Sequence, residues 1–231
     1  MMIKQIKYIL GVSLMLGAIT IGNISAQAAD IESLMSDVET TDSNIGLYSQ
    51  YIFRGQRQSA GSLSVQGDVG WEHDSGVSAN VWFATLGAGN NATEFDVTLD
   101  YSADLGFIGY SAGMILYRYH NNGASNATEV YAGVTHELGA AELYYDINSQ
   151  NIWLDLSSGI ELAELSIDGT LSFSAPNVGT SELVNLAIGV SKEVEMRDIV
   201  LSPSLTYNYH MGALNTVATP DALVFAINFA Y

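Results

Sequence analysis

Residues 94–105 read "EFDVTLDYSADL", and every second side chain is apolar. Phe95, Val97, Leu99, Tyr101, Ala103 and Leu105 fall on one side; Glu94, Asp96, Thr98, Asp100, Ser102 and Asp104 fall on the other. A strand sorts residues this way, because its side chains alternate with period 2; a helical period of about 3.6 would scatter the acids round the whole surface. The apolar side must leave water, so its partner is either a protein core or lipid.

The same alternation recurs on both sides of this stretch. In "LSVQGDVGWE" Leu63, Val65, Val69 and Trp71 oppose Ser64, Gln66, Asp68 and Glu72. In "ELSIDGTLSFS" Leu165, Ile167, Leu171 and Phe173 oppose Ser166, Asp168, Thr170 and Ser172. Twelve such segments are predicted, over 44–54, 62–72, 77–86, 94–105, 107–119, 129–138, 140–149, 151–160, 164–174, 182–192, 199–210 and 222–231. Most run to about 10 residues, the length with which a tilted strand crosses a bilayer.

The connections decide between core and lipid. After the odd strands come "GQRQSAG", "GAGNNAT", "HNNGASNAT", "SQN", "SAPNVGTS" and "MGALNTVATPD"; after the even ones "HDSG", Gly106, Gly139, "ELAE" and "EVEMRD". Long and tight connections alternate, apart from the short "SQN" and the longer "EVEMRD". A soluble sandwich has no reason for this, whereas outer-membrane barrels pair long outer loops with short periplasmic turns. The reading is all-β: an up-and-down antiparallel transmembrane barrel of about 12 strands over 44–231, both termini periplasmic.

Composition agrees. The 231 residues carry 7 Lys+Arg against 25 Asp+Glu, yet 48% are hydrophobic and only 14% charged. So acidic a chain repels nucleic acid, and its aromatic content argues against disorder. There is no cysteine, hence no disulfide framework. Residues 1–28 read as a signal peptide: Lys4 and Lys7, the apolar run "YILGVSLMLGAITIG", then Ala26-Gln27-Ala28 as a small-residue cleavage site. Its removal leaves 5 basic and 25 acidic residues, formally −20. Residues 29–43, "ADIESLMSDVETTDS", break the period-2 pattern and read as an acidic leader or a short helix behind Asp30.

Lipid on the outer face calls for aromatic girdles at both water boundaries. Tyr51, Phe53, Phe83, Phe95, Phe173, Tyr207 and Tyr209 are predicted for the outer one; Trp71, Tyr101, Tyr110, Phe229 and Tyr231 for the periplasmic one. On the closing strand Leu223, Phe225, Ile227, Phe229 and Tyr231 would face lipid. Their alternation up to a terminal aromatic resembles the C-terminal assembly signal of outer-membrane barrels, which implies the barrel-assembly machinery as a partner beside outer-membrane lipid.

The stretch "SNIGLYSQYIFRGQRQS", followed by "SVQGDVGWEHDSGVSANVWF", resembles the TorF-type porins of proteobacteria. The resemblance is carried by Ser49, Tyr51, Phe53, Arg54, Gly55 and Gln58-Ser59, then Val65-Gln66-Gly67, Gly76 and Trp82. Gln50 stands where that pattern carries an aspartate. The resemblance implies an outer-membrane barrel acting as a porin and supplies no functional residues. Read alone, the cluster places Tyr51 and Phe53 toward lipid and Arg54 inward at the rim, either as the partner of an inward acid or as a selectivity residue.

The predicted register lines the pore with Arg54, Asp68, Glu94, Asp96, Asp100, Asp104, Arg118, Glu142, Asp146, Asp155 and Asp168. Rings of carboxylates favour cations, so the expectation is passive diffusion of small solutes or cations through an acidic lumen. The alternative is a non-conducting structural or recognition barrel that works through its extracellular loops. No cofactor, metal or catalytic residue is expected. His136 and Ser158 share the outer face but lie two strands apart, and His73, His120 and His210 lack metal-ligand spacing.

Overall fold

The computed structural model describes residues 39–87, 92–120, 126–179, 181–211 and 221–230, with no side-chain statement for 39–42. The expected signal peptide, the helix-or-leader residues 29–38 and Tyr231 lie outside the described residues.

Alternation becomes a closed barrel of twelve antiparallel strands. They are β1 (Glu39–Tyr48), β4 (Ser64–Glu72), β5 (Val77–Thr85), β6 (Thr93–Asp104), β7 (Gly109–His120), β8 (Ala127–His136), β9 (Gly139–Asp146), β10 (Ile152–Leu162), β11 (Leu165–Ala175), β12 (Glu182–Ser191), β14 (Ile199–His210) and β15 (Ala222–Ala230). Each pairs with the next, β12 bonds to β14, and β15 closes on β1 through Asn44↔Ala230 to Tyr48↔Ala226. Two short pieces are additional: β2 (Ile52–Phe53) with β3 (Gln56–Arg57), and β13 (Val194–Met196), which extends the β14 hairpin. Among the described residues every barrel strand has a hydrogen-bonded neighbour on both sides, as a backbone in hydrocarbon requires.

The strand ends Tyr48, Ser64, Thr85, Thr93, His120, Ala127, Asp146, Ile152, Ala175, Glu182, His210 and Ala222 share one rim, called the loop rim, and the turns 73–76, 105–108, 137–138, 163–164 and 192–198 lie at the other, the turn rim. Side-chain packing is inverted relative to a soluble protein. Leu47, Val69, Leu99, Leu143, Ile160, Ile188, Leu205, Leu223 and Phe225 are exposed, whereas Ser64, Gln66, Glu94, Asp96, Thr98, Glu129, Ser172, Asn185 and Asn208 are buried. An apolar outside around a polar inside suits hydrocarbon as the outer solvent. Among the outward aromatics, Phe83, Phe95, Phe173, Tyr207 and Tyr209 lie near the loop rim, with Trp71, Tyr101, Tyr110 and Phe229 near the turn rim. The Tyr101 and Tyr110 rings are 6.4 Å apart.

One strand departs from expectation. β1 begins at Glu39 and ends at Tyr48, so 39–43 belong to the barrel and 49–63 do not continue it. The ladder stops where the Ser49 amide donates to Phe225 O at 2.8 Å. Beyond it the chain bends inward.

Candidate functional site

The inward bend is a small hairpin inside the lumen. The Tyr51 amide donates to Ser59 Oγ at 2.8 Å, and the Gln58 amide to Tyr51 O at 2.9 Å. Between them β2 and β3 pair through Ile52↔Arg57 and Phe53↔Gln56. The two residues at the tip, Arg54 and Gly55, have φ of +46° and +75°. Positive φ at both central positions defines the mirror-image turn that matches strand twist; Gly suits the second position, and Arg at the first carries strain.

Tyr51 and Phe53 therefore do not face lipid. Tyr51 is buried with its ring edge-on to Trp82 at 5.3 Å, and Phe53 packs 6.1 Å from Tyr117. They share the phase of Ile45 and Leu47, past Ser49, in a chain that has already left the sheet, so periodicity alone assigns them to the wrong side.

Arg54 is the centre of the arrangement. Its Nη1 donates to Glu129 Oε1 at 2.7 Å and Nη2 to Oε2 at 3.1 Å, a two-pronged pair with both side chains 6% exposed. Its Nε lies 3.8 Å from Asp155 Oδ2. Three rings flank the guanidinium, with centroids at 4.8 Å (Phe53), 4.5 Å (Tyr144) and 5.0 Å (Trp153). A planar, weakly hydrated cation is suited to carboxylates at its edge and aromatic faces above it. On the far side of the lumen, a Cβ added at Gly55 would stand 3.0 Å from Asn185 Cβ. The hairpin thus reaches from the β8–β10 wall to β12 and narrows the barrel at its loop end.

The walls differ in chemistry. On β6–β9 four carboxylates each accept a tyrosine hydroxyl: Tyr119 donates to Glu94 at 2.6 Å, Tyr117 to Glu129 at 2.9 Å, Tyr144 to Glu142 at 3.0 Å, and Tyr131 to Asp100. Asp96 and Asp155 face the same space, and Asp68 accepts from Asn80 Nδ2 at 3.3 Å. Asp168 lies nearer the turn rim, opposite Gly189. The facing wall of β12, β14 and β15 presents Asn185, Ala187, Thr206, Asn208, His210 and Val224. Asn185 donates to Asn208 Oδ1 at 3.4 Å.

One residue assigned to the pore faces outward, and two at its rims also organise turns. Arg118 is a correction: it lies opposite Phe95, while Tyr117 and Tyr119 take the inward positions, so its side chain is on the outer face. There Nη1 donates to the carbonyls of Tyr117 at 2.7 Å and Ala127 at 3.0 Å. Asp104 accepts from the Gly106 amide and caps its turn. Asp146 accepts from the amides of Asn148 at 2.8 Å and Ser149 at 3.2 Å, organising the 147–151 loop. The inward acid that partners Arg54 is Glu129, which the sequence alone does not single out, and neither does alternation reveal the tyrosine partners of the carboxylates. The tight 105–108 turn carries that signal, since pairing Asp104 with Gly109 sets Tyr117 opposite Asp96 and Tyr119 opposite Glu94. Among the described residues, no group of three or more His, Cys, Asp or Glu could hold a metal ion. Ser158 donates to Leu138 O at 2.7 Å and makes no pair with His136.

With this geometry in view, similarity to known proteins places the chain. A family model described as "Bacterial protein of unknown function (Gcw_chp)" matches residues 34–219. The chain belongs to the Gcw_chp family. That description does not mention the TorF-type porins, so this resemblance bears only on the functional reading. No curated protein matches this Gcw_chp sequence. Among solved structures, the barrel is similar to the KdgM porin in complex with disordered oligogalacturonate, with a TM-score of 0.59 at 9% identity over 83% of this chain and 98% of that one. It is also similar to the NanC porin, with a TM-score of 0.57 at 12% identity over 82% and 98%. At such identities the likeness is one of fold: this Gcw_chp chain has the twelve-stranded barrel fold of outer-membrane porins.

Proposed function

We propose that this protein is an outer-membrane, porin-like channel for the passive diffusion of small solutes, with a preference for cations. The observation that carries the reading is the lumen itself: a polar interior with Asp68, Glu94, Asp96, Asp100, Glu142, Asp155 and Asp168 on its inward positions, inside an apolar exterior. Carboxylates in a low-dielectric tube attract cations and repel anions. The KdgM structure's title names oligogalacturonate, a polyanion; an acidic wall points this chain toward neutral or cationic solutes instead. The reading takes the signal peptide as the export route, the alternating C-terminal strand as the contact for the assembly machinery, and the turn rim, where β1 starts and β15 ends, as the periplasmic side.

A second reading has its own observation. The hairpin of residues 51–59 occupies the loop end of the lumen, as a non-conducting barrel that acts through its loops would also have it. Planar-bilayer recording of the refolded chain under a KCl gradient separates the two. Discrete conductance with a cation-selective reversal potential is expected, and Asp100→Asn and Asp168→Asn should move that potential toward zero. A folded barrel with no current in any variant favours the loop-based reading.

A further inference from the structure

The groups round Arg54 have different origins. Arg54 and Phe53 ride on a hairpin of two residue pairs, whereas Glu129, Tyr144, Trp153 and Asp155 project from three adjacent strands of the barrel, β8, β9 and β10. Trp153 and Tyr144 are direct cross-strand partners, as are Asp155 and Glu142. The wall half of the cage is therefore rigid and persists whether or not the hairpin is in place. Taking a partner from a buried ion pair leaves an uncompensated charge, at a cost of about 3–5 kcal/mol. Release of the hairpin is therefore costly on its own and is favoured when another cation takes the place of Arg54.

We propose that Glu129, Asp155, Tyr144 and Trp153 form a lumenal binding site for a guanidinium-type cation, and that Arg54 is a tethered occupant which an incoming ligand of that class displaces. Two carboxylates meet the edge of the cation and two rings meet its faces, the arrangement that Arg54 itself demonstrates. A compact, strongly hydrated ion such as potassium matches the carboxylates but gains little from the rings. Displacement frees the hairpin from the β8–β10 wall, so ligand entry and widening of the lumen are one event. The proposal rests on the channel reading only for the route by which the cation arrives.

Methylguanidinium is the probe, with potassium at equal ionic strength as control, and binding is read calorimetrically on the full chain refolded in detergent micelles. A self-occupied site binds with an affinity lowered by the fraction of time it stands free. Arg54→Ala should therefore bind methylguanidinium about tenfold more tightly than the unmodified chain or better. Arg54→Ala combined with Glu129→Gln should lose most of that binding. Arg54→Gln replaces Arg54→Ala if the alanine variant does not refold.

In bilayers, millimolar methylguanidinium should increase current through the unmodified chain, and potassium should not. The chain has no cysteine, so Gly55→Cys with Asn185→Cys can pin the hairpin tip to β12. Oxidation should abolish the methylguanidinium response and reductant should restore it. A folded Arg54→Ala barrel that binds no methylguanidinium overturns the site. Binding to Arg54→Ala with no effect on the unmodified chain's current, while the chain conducts, overturns displacement and leaves Arg54 as a fixed lock. Binding without current in any variant leaves the site standing and removes the channel reading.

Discussion

Two ion pairs occupy opposite ends of this barrel in opposite surroundings. Arg54–Glu129, at the loop end, is 6% exposed on both partners, two-pronged, and enclosed by rings. Lys192–Glu164, at the turn end, joins side chains that are 42% and 78% exposed. Their Coulomb partners are alike, but the medium is not. Water screens the second pair and offers each ion an alternative solvation, so such pairs contribute little. The first has surrendered its water, and each ion depends on the other. A carboxylate's role in this lumen is thus set by depth: at the rim it hydrates or caps a turn, and beside the hairpin it is held by a tyrosine hydroxyl or, at Glu129, by Arg54 as well.

The sharpest way to break the comparison is to remove one buried partner. Glu129→Ala strands Arg54 between aromatic rings, with Asp155 at 3.8 Å as its remaining charge. A loss of about 3–5 kcal/mol in folding stability is expected, measured by urea unfolding of the lipid-refolded barrel. A loss no greater than that of a surface pair would mean that the hairpin rearranges and that burial is not what sets the strength of Arg54–Glu129.

The tip tests whether geometry or charge holds the hairpin. Gly55→Ala leaves both ions intact but adds a Cβ at φ +75° and 3.0 Å from Asn185 Cβ. Left-handed strain of this kind costs on the order of 1–3 kcal/mol. A smaller loss of stability than in Glu129→Ala is expected, with increased current as the tip withdraws from β12. Equal losses would make the turn, rather than the ion pair, the dominant restraint.

Sequence made one half of this comparison legible. Strand positions followed from alternation, and the stretch from Glu94 to Leu105 gave its strand to within a residue at each end. Inward acids on β6, β9, β10 and β11 followed from the same phase. Two things did not follow. Tyr51 and Phe53 continue the phase of Leu47, and nothing local says that the ladder ends at Ser49; a contact with residues 75 positions away decides it. Arg118 was misplaced because β7 carries bulk on both faces, with Met114 and Leu116 outward against Ile115 and Tyr117 inward. Where both faces are bulky, period 2 identifies a strand without orienting it, and register against β6 is needed.

The exposed pair sharpens the comparison from its weak side. Glu164 lies in the turn between β10 and β11, and its hydrogen bond from Lys192, then the charge of that ammonium, lowers its pKa below the usual glutamate value. The sign follows directly. A depressed carboxyl favours the folded state above its unfolded pKa, and that contribution is lost as pH falls through the folded pKa. Solvent screening at this exposed rim reduces it to very little. Lys192→Ala should therefore return the Glu164 titration, followed by carboxyl NMR, toward its ordinary value, with no measurable change in the urea midpoint between neutral pH and the mildly acidic range. A midpoint shift comparable to that of Glu129→Ala would mean that this rim is buried in the assembled protein, and the contrast between the two ends would fail.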